Sequence, residues 1–391
     1  MPWSSWGQSK MKINRERLAE TFTLLCETDS PSRQEGRMAA LLKKKFTQLG
    51  AKEITEDDSA AQTGSQCGNL IIRFDGSLDL DTIFFSCHMD TVEPASGIKV
   101  QREGDMFTSA GATVLGSDDK SGIAACIELM ETLQEYNIAH RPLEFVITTC
   151  EEIGLLGAKA LDPEHIHGKE GYALDSTGFA KVVTQAPAAN RLTITVNGVA
   201  AHAGLHPEWG VNAIAIAAKA LSRCPNGRID AETTANFGTI TGGAASNIVP
   251  EKVVIEGEVR SHQVNTLHKV TREIEQACAA VAAEWNDPTG QAKGRPTIDV
   301  TVHNDFPAML LDRKSRTIQR VEEAAKSIGL KMTYEKAGGG SDANIFNGYG
   351  LPTAIIATGM TNVHSTDECC DLQDMVDLTR LLISLSTTTT L

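Results

Sequence analysis

Short, largely apolar runs recur along the chain with amphipathic stretches between them, and that rhythm leaves few folds open. Asn69–Phe74, Thr82–Cys87, Leu143–Thr149, Tyr172–Leu174 and Thr353–Ala357 read as strands buried on both faces. Ile13–Glu27, Gln34–Leu49, Lys120–Tyr136, Arg313–Ile328 and Leu372–Leu385 carry apolar residues at helical spacing, with a shorter helix near Ala343–Asn347 and a strand at Lys331–Glu335. Gly50 follows the second helix as a natural stop. Strand and helix in alternation predict an α/β fold, a largely parallel sheet sandwiched by helices.

Between Pro187 and Val300 the pattern changes. Arg191–Val196, Lys252–Arg260 and Thr297–His303 alternate apolar with polar, as strands with one wet face do, and Val211–Ser222 and Val264–Glu284 read as helices. The chain is therefore expected to divide at 1–186 and 301–391 for one α/β domain, with 187–300 as an inserted α+β domain. The first ten residues are expected to be irregular and the terminal STTTTL frayed.

Composition narrows the function classes. Lys and Arg total 36 against 50 Asp and Glu, a net charge of −14, so nucleic acid and anionic membrane are poor partners. No run approaches the ~20 apolar residues of a membrane span, and the N-terminus lacks an apolar signal core. Nine cysteines, an odd count without CxxC, suggest neither a disulfide framework nor a thiolate zinc site, and fit a reducing cytoplasm.

Chemistry concentrates where strands end. His88 and Asp90 (SCHMDT) follow one strand, Glu151 and Glu152 (CEEIG) another, Asp175 (DSTG) a third and His364 (VHS) a fourth, while Asp118 (GSDDK) opens a helix. Ligands of open α/β sheets bind beyond the carboxyl ends of the strands, so these distant segments can converge. Carboxylates with imidazoles suit zinc, manganese or cobalt. If His88, Asp118, Glu152, Asp175 and His364 are ligands, three carboxylates and a bridging hydroxide neutralise two divalent cations. Asp90 can orient His88. Glu151, beside a ligand, can act as general base.

With these residues and the stretches SCHMDTV, LGSDDKSG, TTCEEIGLLGA, ALDSTG, AHAGLHPEWGVNAI, GGAASNIVP, GEVRS, GGGSDANIF and VHSTDE, the chain resembles the co-catalytic zinc peptidases and deacylases. That superfamily includes tripeptidase T, carboxypeptidase G, aminoacylase, carnosinase and succinyl-diaminopimelate desuccinylase, and the detailed flavour is most similar to tripeptidase T. The resemblance implies that Asp118 bridges two metal ions, with His88 and Asp175 on one and Glu152 and His364 on the other, and that a cis peptide follows Asp118. It implies that the inserted domain is a lid that also dimerises. There, His202 would stabilise the oxyanion, Asn247 contact the substrate backbone, and Arg260 hold a substrate carboxylate. Gly339 and Gly340 would allow close backbone approach.

The expectation is a cytoplasmic, homodimeric aminopeptidase of short peptides, tripeptides above all, using hydroxide on two zinc (or cobalt or manganese) ions with Glu151 as base. An N-acyl amino acid deacylase or dipeptidase would share the chemistry. A silent binding protein on the same fold and a thiol hydrolase using Cys150 or Cys87 stand as further alternatives.

Overall fold

The computed structural model describes residues 12–389. The expectations for the first ten residues and for the last two of STTTTL lie outside that range. Of that terminus, Ser386 and Thr387 lie in the helix Leu372–Thr387, and the Ser386 hydroxyl donates to Leu382 O at 2.7 Å. The described residues form two compact units, one comprising those up to Gln185, Met309–Ala337 and those from Ser341, the other Ala186–Ala308 with Gly338–Gly340.

The first unit is built on a nine-stranded sheet. Its centre is parallel, in the order Leu143–Thr148, Ile83–His88, Glu170–Ser176, Thr353–Ala357. Antiparallel strands flank it, Leu70–Phe74 and Glu53–Glu56 on one side and Lys181–Ala186 on the other, with Thr333–Lys336 running parallel to the last. The six residues of Ile83–His88 are all buried, as a strand covered on both faces requires. Phe85 lies between Phe145 and Tyr172 at 6.1 and 6.0 Å, in the core shared with the helices Arg15–Cys26, Ser117–Glu135 and Leu372–Thr387. Phe84 points the other way and meets Phe346 of the helix Asp342–Gly348 edge-on at 5.4 Å. Truncating either ring to alanine would cost about 3–5 kcal/mol.

The second unit is a five-stranded antiparallel sheet, ordered Gly227–Arg228, Thr233–Gly242, Lys252–Ser261, Ala188–Asn197, Thr297–Phe306. Helices Ala213–Leu221 and Val264–Ala283 pack on it. Leu267, Val270, Ile274, Cys278 and Val281, spaced by three and four, share a core with Leu192, Ile194 and Val196. Thr297–Phe306 belongs wholly to this sheet, so the unit extends beyond residue 300. Thr233–Gly242 carries too little apolar alternation to signal a strand: only Thr233 and Ala235 are buried, and a bulge at Gly238 interrupts the register. No helix among the described residues is long and apolar enough to cross a membrane.

Candidate metal centre

Parallel register lines up the strand ends. His88 pairs with Thr148, Ser86 with Ala173 and Ala357 with Ser176. His88 closes its strand, Glu151 and Glu152 occupy the turn after Thr148, and Asp175 is the penultimate residue of Glu170–Ser176. His364 sits between the short strands Met360–Thr361 and Cys369–Asp371, which pair with each other. Asp118 comes from the start of the helix Ser117–Glu135, where Gly116 (φ 74°) makes the left-handed turn that glycine favours. Asp118 and Asp119 are not helical, and the peptide between them is cis.

His88, Asp118 and Glu152 each offer a ligand atom within 4.8 Å of the others. His88 Nε2 lies 3.0 Å from Asp118 Oδ1, and His364 Nε2 lies 3.3 Å from Asp118 Oδ2 and 3.0 Å from Glu152 Oε2. Asp118 thus presents one oxygen to each imidazole. Asp175 stands outside that mutual group and takes part through charge: Asp118 is the strongest charge acting on it. Glu152 Oε1 is buried without a hydrogen-bond partner. A carboxylate spanning two imidazoles and a buried acceptor with no donor are what a pair of divalent cations would complete.

Electrostatics point the same way. Burial pushes the carboxyls of Glu151 and Asp175 well up, and neighbouring carboxylates push them further. Glu152 is raised by burial against the pull of His364. Burial opposes the charge of Asp118, yet His364 and His88 hold it well below the usual carboxylate range. Asp118 and Glu152 in turn push His364 up to about 10. Buried carboxylates that resist ionisation beside imidazoles that retain protons mark a site short of positive charge.

Asp90 meets His88 through its backbone more closely than through its carboxylate. Its carbonyl, at 3.1 Å, is nearer His88 Nδ1 than its Oδ1, at 3.5 Å. The carboxylate instead accepts the N–H groups of Glu151 (3.0 Å) and Glu152 (3.2 Å) and the Ser32 hydroxyl (2.7 Å). Glu35, which no sequence signal marked, is fully buried and accepts from Arg33 N and from Cys150 N, fixing the turn where Cys150 adopts φ 53°. The thiols of Cys87 and Cys150 are both pushed up by burial, Cys150 to about 12, the opposite of what a nucleophile needs. His206 stacks on Trp209 at 3.8 Å and faces Glu208.

The remaining sequence candidates belong to the second unit. His202 lies in the short strand Ala201–His202, paired with Ile248–Val249. Its Nδ1 accepts from Gly204 N (3.1 Å) and Leu205 N (3.2 Å), which assigns the proton to Nε2 and leaves that N–H to donate. Asn247 is adjacent through Ala203 N→Asn247 O at 3.0 Å. Arg260 pairs with Glu258 (Nε–Oε1 2.9 Å) and lies over the Phe306 ring at 6.0 Å. A Cβ on Gly339 would come within 3.6 Å of the Arg260 guanidinium. On Gly340 it would strike the Phe306 ring at 2.5 Å, so packing against Phe306 already requires glycine there.

The model of peptidase family M20/M25/M40 matches residues 84–388. The uncharacterized protein YqjE of Bacillus subtilis (strain 168) is 38% identical over 374 residues, covering 95% of this chain and 98% of its own length. The crystal structure of aminopeptidase PepT from Bacillus cereus superposes with a TM-score of 0.85 at 40% identity, covering 96% of this chain and 98% of that one. A tripeptidase from Staphylococcus aureus superposes at 0.86 with 32% identity and the same coverage. The chain belongs to peptidase family M20/M25/M40 and is tripeptidase T-like within it.

Proposed function

We propose that this peptidase is a dinuclear metal-dependent aminopeptidase of short peptides, tripeptides above all, in which His88, Asp118, Glu152, Asp175 and His364 hold two divalent ions, zinc by preference over cobalt or manganese. The observation that carries the reading is Asp118, whose two oxygens face two different histidines. When bound, the ions lower the pKa of water toward ~7 and polarise the scissile carbonyl.

The protein supplies the rest. Glu151 lies beside Glu152 and only 9% exposed, and burial raises its affinity for a proton. It takes a proton from the attacking water and returns it to the amine that leaves. Asp90 keeps Glu151 and Glu152 in register by accepting both their amides. His202 offers its Nε2–H to the developing oxyanion, its ring fixed by Gly204 and Leu205. Asn247 contacts the substrate backbone, Arg260 takes a free substrate carboxylate, and Gly339 and Gly340 let the peptide approach. The second unit serves as a lid and joins two copies into a homodimer. The nine cysteines are free, in keeping with a cytoplasmic enzyme.

The test is hydrolysis of a panel of tripeptides, dipeptides and N-acetyl or N-succinyl amino acids, with products identified by mass, before and after chelation and after zinc is restored. Release of the N-terminal residue from tripeptides, lost on chelation and regained with zinc, is expected. Turnover of acyl amino acids alone would make the enzyme a deacylase. Activity indifferent to chelation and blocked by a thiol reagent would transfer the chemistry to a cysteine.

A further inference from the structure

Glu368 is buried to 1% exposure and takes no part in the chemistry above. Its carboxylate is saturated by one short stretch of chain. Oε2 accepts Leu115 N and Gly116 N, each at 2.8 Å, and Oε1 accepts the Ser117 hydroxyl at 2.6 Å and Asp118 N at 3.1 Å. All four partners are donors, and they are consecutive, ending on Asp118 itself. The glutamate also belongs to the loop of His364: its own amide donates to Ser365 O at 3.2 Å, closing the turn that follows the histidine.

From this arrangement we infer that Glu368 is a positioning residue that locks the Asp118 loop to the His364 loop, and so fixes the two sides of the metal centre relative to one another. The inference rests on the metal-centre reading. Both segments need such a lock. Gly116 is left-handed and Asp118 and Asp119 depart from helical geometry, and the N–H groups at the start of a helix have no intrahelical acceptors, so the backbone carrying Asp118 needs acceptors from elsewhere. His364 is half exposed, in a short loop at φ 61°. A carboxylate suits the four donors because both its oxygens accept. Glutamine cannot replace it, since its NH₂ would face either the amides of Leu115 and Gly116 or the Ser117 hydroxyl and the Asp118 amide.

The experiment is calorimetric titration of the metal-depleted full-length protein with cobalt(II), together with the visible spectrum of the cobalt form. Wild type, Glu368→Gln, Ser117→Ala and Glu144→Gln are compared. Glu144 is the control: it is equally buried and accepts from Arg73, His167 N and Gly168 N, but it lies on the strand that ends before the centre, toward its opposite end. Wild type is expected to bind two equivalents. Glu368→Gln should lose about 10–100-fold in affinity for at least one of them, with an altered cobalt spectrum. Ser117→Ala, which removes a single bond, should shift in the same direction by less. Glu144→Gln should melt earlier while binding cobalt as wild type does. A wild-type isotherm and spectrum in Glu368→Gln would overturn the inference alone. Should that variant fail to fold, an unchanged isotherm in Ser117→Ala would do so. Wild-type protein that takes up no cobalt would overturn the metal-centre reading, and the inference with it.

Discussion

Removing the ions should destabilise the first unit by an amount that can be bounded. The centre gathers the carboxylates of Asp118, Glu152 and Asp175 with that of Glu151, and three of the four are pushed up by burial and one another. Two unit charges 4 Å apart interact by about 4 kcal/mol at an effective dielectric near 20. Cations that relieve such repulsion bind the native state alone, and each site held at a hundredfold excess over its Kd adds about 2.7 kcal/mol. For a unit of this size a kilocalorie moves Tm by roughly 2–4 °C, so loss of both ions should lower it by on the order of 10 °C. The sign of the pH dependence follows from His364, whose pKa Asp118 and Glu152 raise to about 10. In the metal-free protein that contact is fully stabilising below the unfolded histidine value of ~6.5 and is lost as pH rises toward about 10. Protons also compete with metal for both imidazoles at low pH. Both effects make the chelator-induced drop larger at pH 9 than at pH 6. Scanning calorimetry with chelator, and again after zinc is restored, measures it at each pH. Glu152→Ala, which deletes the carboxylate with the unpartnered oxygen, should respond far less. A drop below ~1 °C, an unaltered response in Glu152→Ala, or the opposite pH trend would refute the reasoning.

Glu151→Gln should bind metal as wild type does while kcat falls by about 10²–10⁴-fold, read by titration and steady-state kinetics side by side. His202→Ala should lower kcat by about 10²–10³-fold with little change in Tm, because the exposed ring bonds only its own loop. Arg260→Ala should cost roughly 10–100-fold in kcat/KM for peptides with a free carboxyl terminus and little for their amides; equal losses on both would remove Arg260 from carboxylate recognition.

The parallel core and the ligand candidates were legible because both depend on local chemistry. A strand such as LEFVIT announces double burial by composition, and the parallel rule then says at which end functional groups collect. The small sheet that carries His364 was not legible. Its strands Val100–Glu103, Met106–Ser109, Met360–Thr361 and Cys369–Asp371 are at most four residues long and largely polar, and the pairing that joins the two halves, Met106–Ser109 with Cys369–Asp371, spans more than 250 residues. Thr233–Gly242 was missed because most of it is exposed and it needs little apolar alternation. The ion pair of Arg260 with Glu258 likewise depends on the fold, since residues two apart in a strand share a face.

The same limit explains why the ligand candidates are legible in the sequence while, of the carboxylates that support them, only Asp90 is. Glu35, Asp90 and Glu368 are buried acids close to the centre in sequence or space, of the same residue types as Asp118 and Glu152. What separates them is the supply of donors. Glu368 accepts four protein donors, Glu35 accepts from Arg33, Ser65 and Cys150, and Asp90 from Ser32, Glu151 and Glu152. Their charge is already spent on the backbone that presents the ligands. Glu152 keeps an oxygen with no donor, and the carboxylate oxygens of Asp118 face imidazoles. A carboxylate saturated by amides gains little from a cation, because binding would strip hydrogen bonds from buried N–H groups. One left unsaturated in the same low-dielectric surroundings gains most. Apart from Arg33 N, two residues from Glu35, these donors lie 30 to 253 residues from the acids they serve, which no local pattern encodes.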